Sequence, residues 1–139
     1  MDYELGSIQV TAELQNGEAQ EIRSLSEVSR KYDSLRERPK EHFYAIFLKS
    51  DDEVIGLEGT GDTPAGVKDI ARIAILTNPG AVILVHNHPS GNAGATDCDS
   101  EVTQHAHDVL EKINVQLLDH VIITRDSNYS IRRKNDGPF

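Results

Sequence analysis

The residue types able to do chemistry together lie close in the stretch AVILVHNHPSGNAGATDCD, residues 81–99. His86 and His88 are separated by a single residue, and a strand's period of two sends both imidazoles to one side while Asn87 points away. Asp99 closes the same stretch. Two neutral imidazoles and one carboxylate are a ligand set for Zn²⁺ or a similar divalent ion, with a coordination position left for water. The residues around them say how they are held. Residues 81–85 form a continuous apolar run, the composition of a strand buried on both faces in mid-sheet. Pro89 has no N–H to give a ladder and ends the strand, and residues 90–95, small and rich in Gly and Asn, read as a loop. Thr96 and Asp97 are helix-starting types, so Asp99 falls in a helix's first turn, free to swing back toward the histidines.

The rest of the chain supplies the scaffold. Ile8, Val10, Ala12 and Leu14 alternate with polar residues up to Asn16-Gly17, a hairpin signal, after which residues 18–22 return as a second strand. Ser24 and Glu27 have capping-box spacing, and Leu25, Val28, Tyr32 and Leu35 recur at helical intervals, which predicts a helix over 25–36 closed by Pro39. Arg30, Lys31, Arg36 and Arg38 form its solvated face. Residues 43–48 and 54–57 read as strands joined by a polar turn. Thr63-Pro64 is a cap followed by a first-position proline, opening a helix lined by Val67, Ile70, Ile73 and Ala74 that ends before Asn78. Cys98, Val102, Ala106, Val109 and Ile113 predict a helix over 97–112 whose apolar stripe packs on the sheet, with Cys98 as a packed thiol. Residues 115–124 are strand-like, 129–131 an edge strand and 137–139 a loose tail. Helices interspersed with strands argue a mixed α/β sandwich.

Composition narrows the function classes. A chain of 139 residues makes one domain. With 23 acidic against 14 Lys and Arg residues, its formal charge of −9 repels a phosphate backbone, and the basic cluster Arg132, Arg133 and Lys134 is the only local exception. Direct DNA binding is therefore not supported. The apolar runs are too short for a bilayer, and the acidic start MDYELGS has no leader pattern, so the expectation is a soluble cytoplasmic protein. A single cysteine excludes an intrachain disulfide and fits a reducing compartment. His105 and His107, two apart on a helix, diverge and belong to its surface.

A His-x-His pair alone is ordinary. With a buried strand leading in, Pro-Ser-Gly leading out and a carboxylate at a helix start, the segment HNHPSG…T-x-x-D resembles the metal motif of the JAB/MPN (JAMM) metalloprotease-like domains. That motif is His-x-His, a spacer, then Ser-x-x-Asp. The RadC-like branch is the most similar, sharing HNHPSG and a later segment like LLDHVII, and the resemblance covers residues 41–131. It implies a mixed-sheet α/β/α sandwich of the JAB/MPN (cytidine-deaminase-like) type. Residues 1–139 then form a single domain, with an N-terminal hairpin and helix over 1–40, the metal-site core over 41–131 and a tail over 132–139.

The resemblance further implies one Zn²⁺ or other divalent ion at His86, His88 and Asp99; zinc rests on the resemblance, since the same ligand types also suit non-haem iron. It implies Glu41, in PKEHFYAIFL, as the general base, with Glu53 and Glu58 as fallbacks. Thr96 stands where the family has its serine, and its hydroxyl can donate to a developing oxyanion across an added methyl. Asp119-His120 matches a family feature that supports the site. The activity implied is metal-dependent hydrolysis of a peptide or isopeptide-like amide in a peptide or protein substrate. The competing reading is a non-catalytic metal-binding scaffold on the same fold. RadC-like proteins are traditionally tied to DNA repair, and longer members carry a helix-hairpin-helix region for which the residues before 41 leave no room. An HNH nuclease needs basic surroundings, whereas this site has Asp97 and Glu101 beside it. A zinc deaminase needs more cysteines than one. Edge strands at both ends of the sheet would permit a homodimer.

Overall fold

The apolar run expected in mid-sheet does occupy the middle. In the computed structural model, which describes residues 28, 30, 32–49, 54–60, 66–91 and 94–139, it is β3, Ala81–Asn87. A 3-10 helix, Asp33–Glu37, precedes β1 (His42–Leu48) and β2 (Val54–Thr60); α1 is Val67–Thr77, α2 is Asp97–Lys112, β4 is Gln116–Ile123 and β5 is Asn128–Ser130. The sheet order is β2-β1-β3-β4-β5. β3 and β4 are parallel, with α2 as the crossover that parallel strands require, and the other neighbours are antiparallel.

Both faces of the sheet are covered, which is why its central strands are apolar without alternation. Phe43, Ala45, Phe47, Val82, Leu84 and Leu117 pack against Ile70 and Ala74 of α1 and Ala106 and Leu110 of α2. On the opposite face Ile46, Leu48, Ile83, Val85, Val121 and Ile123 meet Val28, Tyr32 and Leu35. The result is the expected α/β/α arrangement. One irregularity matters for function. Val82 partners Leu117 but Ile83 partners Asp119, so Leu118 is an extra residue in β4. Such a bulge re-aims the side chains after it. Leu84 partners His120, which turns His120 to the face covered by α1 and α2.

Several expectations are adjusted. β2 continues to Thr60, and β5 lies one residue earlier than expected. α1 begins at Val67 with Gly66 as its N-cap. Thr63-Pro64, the hairpin over 8–22 and most of the helix expected over 25–36 lie outside the described residues, and the end of that helix is the tighter 3-10 turn common at helix termini. The tail is not loose: the Phe139 ring lies 6.5 Å from that of His107, and the Arg132 guanidinium lies 6.0 Å from the Phe139 centroid. Gly137 permits this return, since a Cβ there would come within 2.8 Å of Ile131. Among the described residues no helix is long and apolar enough to cross a membrane.

Arg36 is not merely solvated. Its guanidinium donates to the carbonyl oxygens of Thr124 (2.8 Å) and Ser127 (3.1 Å) and to Asn128 Oδ1, fastening the 3-10 helix to the β4–β5 turn. Charge-assisted bonds that join two segments far apart in the chain should make Arg36→Ala about 2 kcal/mol less stable in urea unfolding. Lysine is expected to restore less than half, because a point ammonium cannot span three acceptors.

Candidate metal centre

β3 delivers its histidines where it leaves the sheet. His86 and His88 follow Val82 and Leu84 onto the helix-covered face, and both are buried. Their Nε2 atoms lie 2.7 Å apart. Phe43 stacks on the His86 ring at 5.8 Å between centroids, giving it an apolar wall on the β1 side. Asn87 points to the other face, as a strand's alternation demands, and is fully buried. Its Nδ2 donates to the carbonyls of Lys40 (3.0 Å), Leu35 (3.2 Å) and Arg38 (3.5 Å), and its Oδ1 accepts from the His42 N–H. The chain leading into β1 is thereby tied to β3, with Glu41 between two of the held residues.

The third side chain arrives from the start of α2. Thr96 is the N-cap: its Oγ1 accepts from the Asp99 N–H at 3.1 Å, and Asp99 Oδ2 accepts from the Thr96 N–H at 2.8 Å. This capping box fixes the carboxylate as well as the helix. Asp99 Oδ1 then lies 3.1 Å from His86 Nε2 and Oδ2 lies 3.2 Å from His88 Nε2. Burial raises the Asp99 pKa, but hydrogen bonds from His86, His88 and the Thr96 N–H outweigh it and hold the carboxyl well below the ordinary carboxylate range. Zinc bonds of about 2.0–2.1 Å in a tetrahedron separate donor atoms by about 3.3 Å. Each Asp99 oxygen lies at about that spacing from one of the two histidine nitrogens, so the three side chains are within reach of one ion.

Glu41 completes the group from the open side. Its Oε1 is 3.7 Å from His86 Nε2, and its ligand atom lies with those of His86 and His88 inside a 4.8 Å circle. Two carboxylates thus compete for the histidine pair. Asp99 is closer to both rings and its side chain is 12% exposed, whereas that of Glu41 is 43% exposed. Either carboxylate could complete a ligand set with the histidine pair: Asp99 is buried, nearer and tied to the Thr96 N–H, and Glu41 is the wetter of the two.

Comparison with known proteins gives this arrangement a family. The sequence profile described as RadC-like JAB domain matches residues 22–136. The chain belongs to the RadC-like JAB domain family. Similar proteins are a UPF0758 protein of Chromohalobacter salexigens, 38% identical over 94 residues that make up 64% of this chain and 42% of that protein, and one of Xanthomonas campestris pv. campestris. The latter is 36% identical over 126 residues, 86% of this chain and 55% of the relative. The chain therefore spans about half the length of the curated relatives it matches.

The remaining residues of this RadC-like domain fall into place around the group. His120, from the re-aimed part of β4, puts Nε2 at 2.7 Å from His86 Nδ1, and its Nδ1 lies 2.6 Å from Thr103 Oγ1 on α2. Burial, with the nearby His86 and His88 adding to it against Asp99, pushes His120 well below its ordinary pKa, so the ring is neutral. Asp119 anchors the bulge: Oδ1 accepts from the N–H groups of His120 (2.7 Å) and Arg132 (3.0 Å), and Oδ2 from Ser130 Oγ. Thr103 escaped the sequence reading, which set the inward stripe of α2 on Cys98, Val102 and Ala106. The structure buries Asp99, Thr103, Ala106 and Leu110 and packs Val102 and Ile113 against the same core, as expected, but leaves Cys98 exposed. The inward face is therefore part polar, with Asp99 and Thr103 in contact with the histidines. Of the fallback bases, Glu53 lies outside the described residues and Glu58 is paired with Tyr44 in β1, with its side chain undescribed.

Proposed function

We propose that this chain is a zinc-dependent hydrolase of the JAMM type, cleaving peptide or isopeptide-like amide bonds in a peptide or protein substrate. The observation that carries the reading is the convergence of Glu41, His86, His88 and Asp99 from two strand ends and a helix start. His86, His88 and Asp99 would hold the ion, which when bound supplies Lewis acidity and brings the pKa of a water toward about 7. Glu41, on the solvent side, takes the proton and returns it to the leaving amine. Thr96 spends a lone pair, not its proton, on the helix cap, so its O–H is left to donate to the oxygen that gains charge. The acidic chain suits a protein substrate better than a nucleic acid, and a lone exposed Cys98 suits the reducing cytoplasm.

Elemental analysis of the wild type beside His88→Ala, followed by an amide-cleavage panel with Glu41→Gln, tests this. The wild type should retain about one zinc per chain and His88→Ala essentially none. Glu41→Gln should keep its zinc and lose about 10²–10⁴ in turnover. Zinc without cleavage of any amide in the panel would replace the hydrolase with a metal-binding scaffold, and full activity in Glu41→Gln would remove that residue as the base.

A further inference from the structure

The hydrogen-bond chain behind His86 fixes the protons of Thr103, of His120 and of His86 Nδ1. Thr103 Oγ1 lies 2.6 Å from the Asp99 carbonyl oxygen and 2.6 Å from His120 Nδ1. A carbonyl only accepts, and a hydroxyl has one proton, so that proton goes to the Asp99 oxygen. Were it given to His120, two oxygen lone pairs would face each other at 2.6 Å. Thr103 therefore accepts from His120, which must carry its proton on Nδ1. Fully buried, with only the Thr103 hydroxyl and the His86 ring in hydrogen-bond contact among the described residues, the His120 ring holds no second proton; its Nε2 is bare, and 2.7 Å away His86 Nδ1 is the donor. With Nδ1 committed to His120 as a donor, His86 has Nε2 as the atom that faces His88 and Asp99 and that is left to ligate an ion.

We infer that Thr103 and His120 are positioning residues that lock His86 in the one tautomer able to ligate through Nε2. The role rests on the proposed metal site for its purpose, but the tautomers themselves do not. A ligating histidine commonly gives its second N–H to a carboxylate or carbonyl, which fixes tautomer and ring orientation. Here the acceptor is a second imidazole, whose own tautomer has to be set by a third group. Two features of the fold exist in the service of that relay. The extra residue Leu118 brings His120 to the helix-covered face, and α2 turns Thr103 inward from the same first turns that carry Asp99. The helix that supplies one ligand thus also prepares another.

The experiment is long-range ¹H–¹⁵N correlation on the metal-free protein with labelled histidine, followed by Zn²⁺ and Co²⁺ titration of Thr103→Val and Thr103→Ser. In the metal-free wild type, His86 and His120 should both show protonated Nδ1, and His120 a bare Nε2. Thr103→Val keeps the shape but removes the acceptor, so His120 should shift toward the Nε2–H tautomer and metal affinity should fall about 10–100-fold. Thr103→Ser should restore both. An Nε2–H signal for His120 in the wild type overturns the inference, as does a Thr103→Val protein whose tautomers and affinity match the wild type. A wild type with the expected tautomers but no affinity for either metal would instead strike the proposed function and leave the proton assignment standing.

Discussion

Replacing Asp99 by asparagine is expected to strip zinc from the protein while leaving α2 in place. The amide oxygen can still accept from the Thr96 N–H, and Thr96 still accepts from the residue 99 N–H as N-cap, so the cap survives. What disappears is the negative charge within 3.2 Å of both imidazole nitrogens. Zinc affinity should drop by more than about a hundredfold, beyond what the loss of an outer partner costs. Asp99→Ala should lose the same affinity and also about 1 kcal/mol of metal-free stability, since it empties half of the capping box. Zinc content after dialysis and thermal melts of the metal-free proteins separate the two effects. The outcome also decides between two carboxylates. Stoichiometric zinc in Asp99→Asn, with zinc lost from Glu41→Gln, would make Glu41 the ligand of the histidine pair and leave the proton acceptor to be found elsewhere.

The sequence was most legible where one constraint acted alone. β3 needed only an apolar run and a proline, and the limits of α2 needed only Thr96 and Asn114, which takes the left-handed conformation that stops the helix. The side-by-side placement of His86 and His88 followed from strand alternation, and the return of Asp99 from its place in a first turn. Reading failed where two constraints met on one element. The apolar stripe of Val102, Ala106 and Ile113 does pack on the core, yet Cys98 at its start is exposed and the polar Asp99 and Thr103 go inward, where their hydrogen bonds are made. His120 illustrates the same limit in a strand. Strict alternation from Leu117 would have sent it to the opposite face, and no residue type in LLDHVII announces a bulge. Arg36 looked like ordinary surface charge because its acceptors, the carbonyls of Thr124 and Ser127, lie far along the chain and carry no sequence signal.

Asn87 is where fold and proposed chemistry can be shown to depend on one side chain. Its amide bridges three carbonyls and one N–H in the chain leading into β1, the Leu35 oxygen accepting from the Arg38 N–H as well. Asn87→Ala should lower stability by about 3 kcal/mol, because truncation strands buried groups at about 1–3 kcal/mol each and the segment relaxes only in part. Asn87→Asp should be worse than its size suggests. The carboxylate can still accept from the His42 N–H, but its second oxygen faces the carbonyls of Leu35 and Lys40 where the amide donated. The consequence for the site is selective. His86, His88 and Asp99 are held by β3 and the capping box, so zinc affinity in Asn87→Ala should stay within a few-fold of the wild type. Glu41, between Lys40 and His42, loses both of its neighbours' anchors. Amide hydrogen exchange over residues 38–42 should accelerate, and turnover should fall toward that of Glu41→Gln. Adding Asn87→Ala to Glu41→Gln should then cost little more than Glu41→Gln alone, the non-additivity expected when one residue acts through another. Additive losses would mean that Asn87 serves the fold and leaves the base indifferent to it.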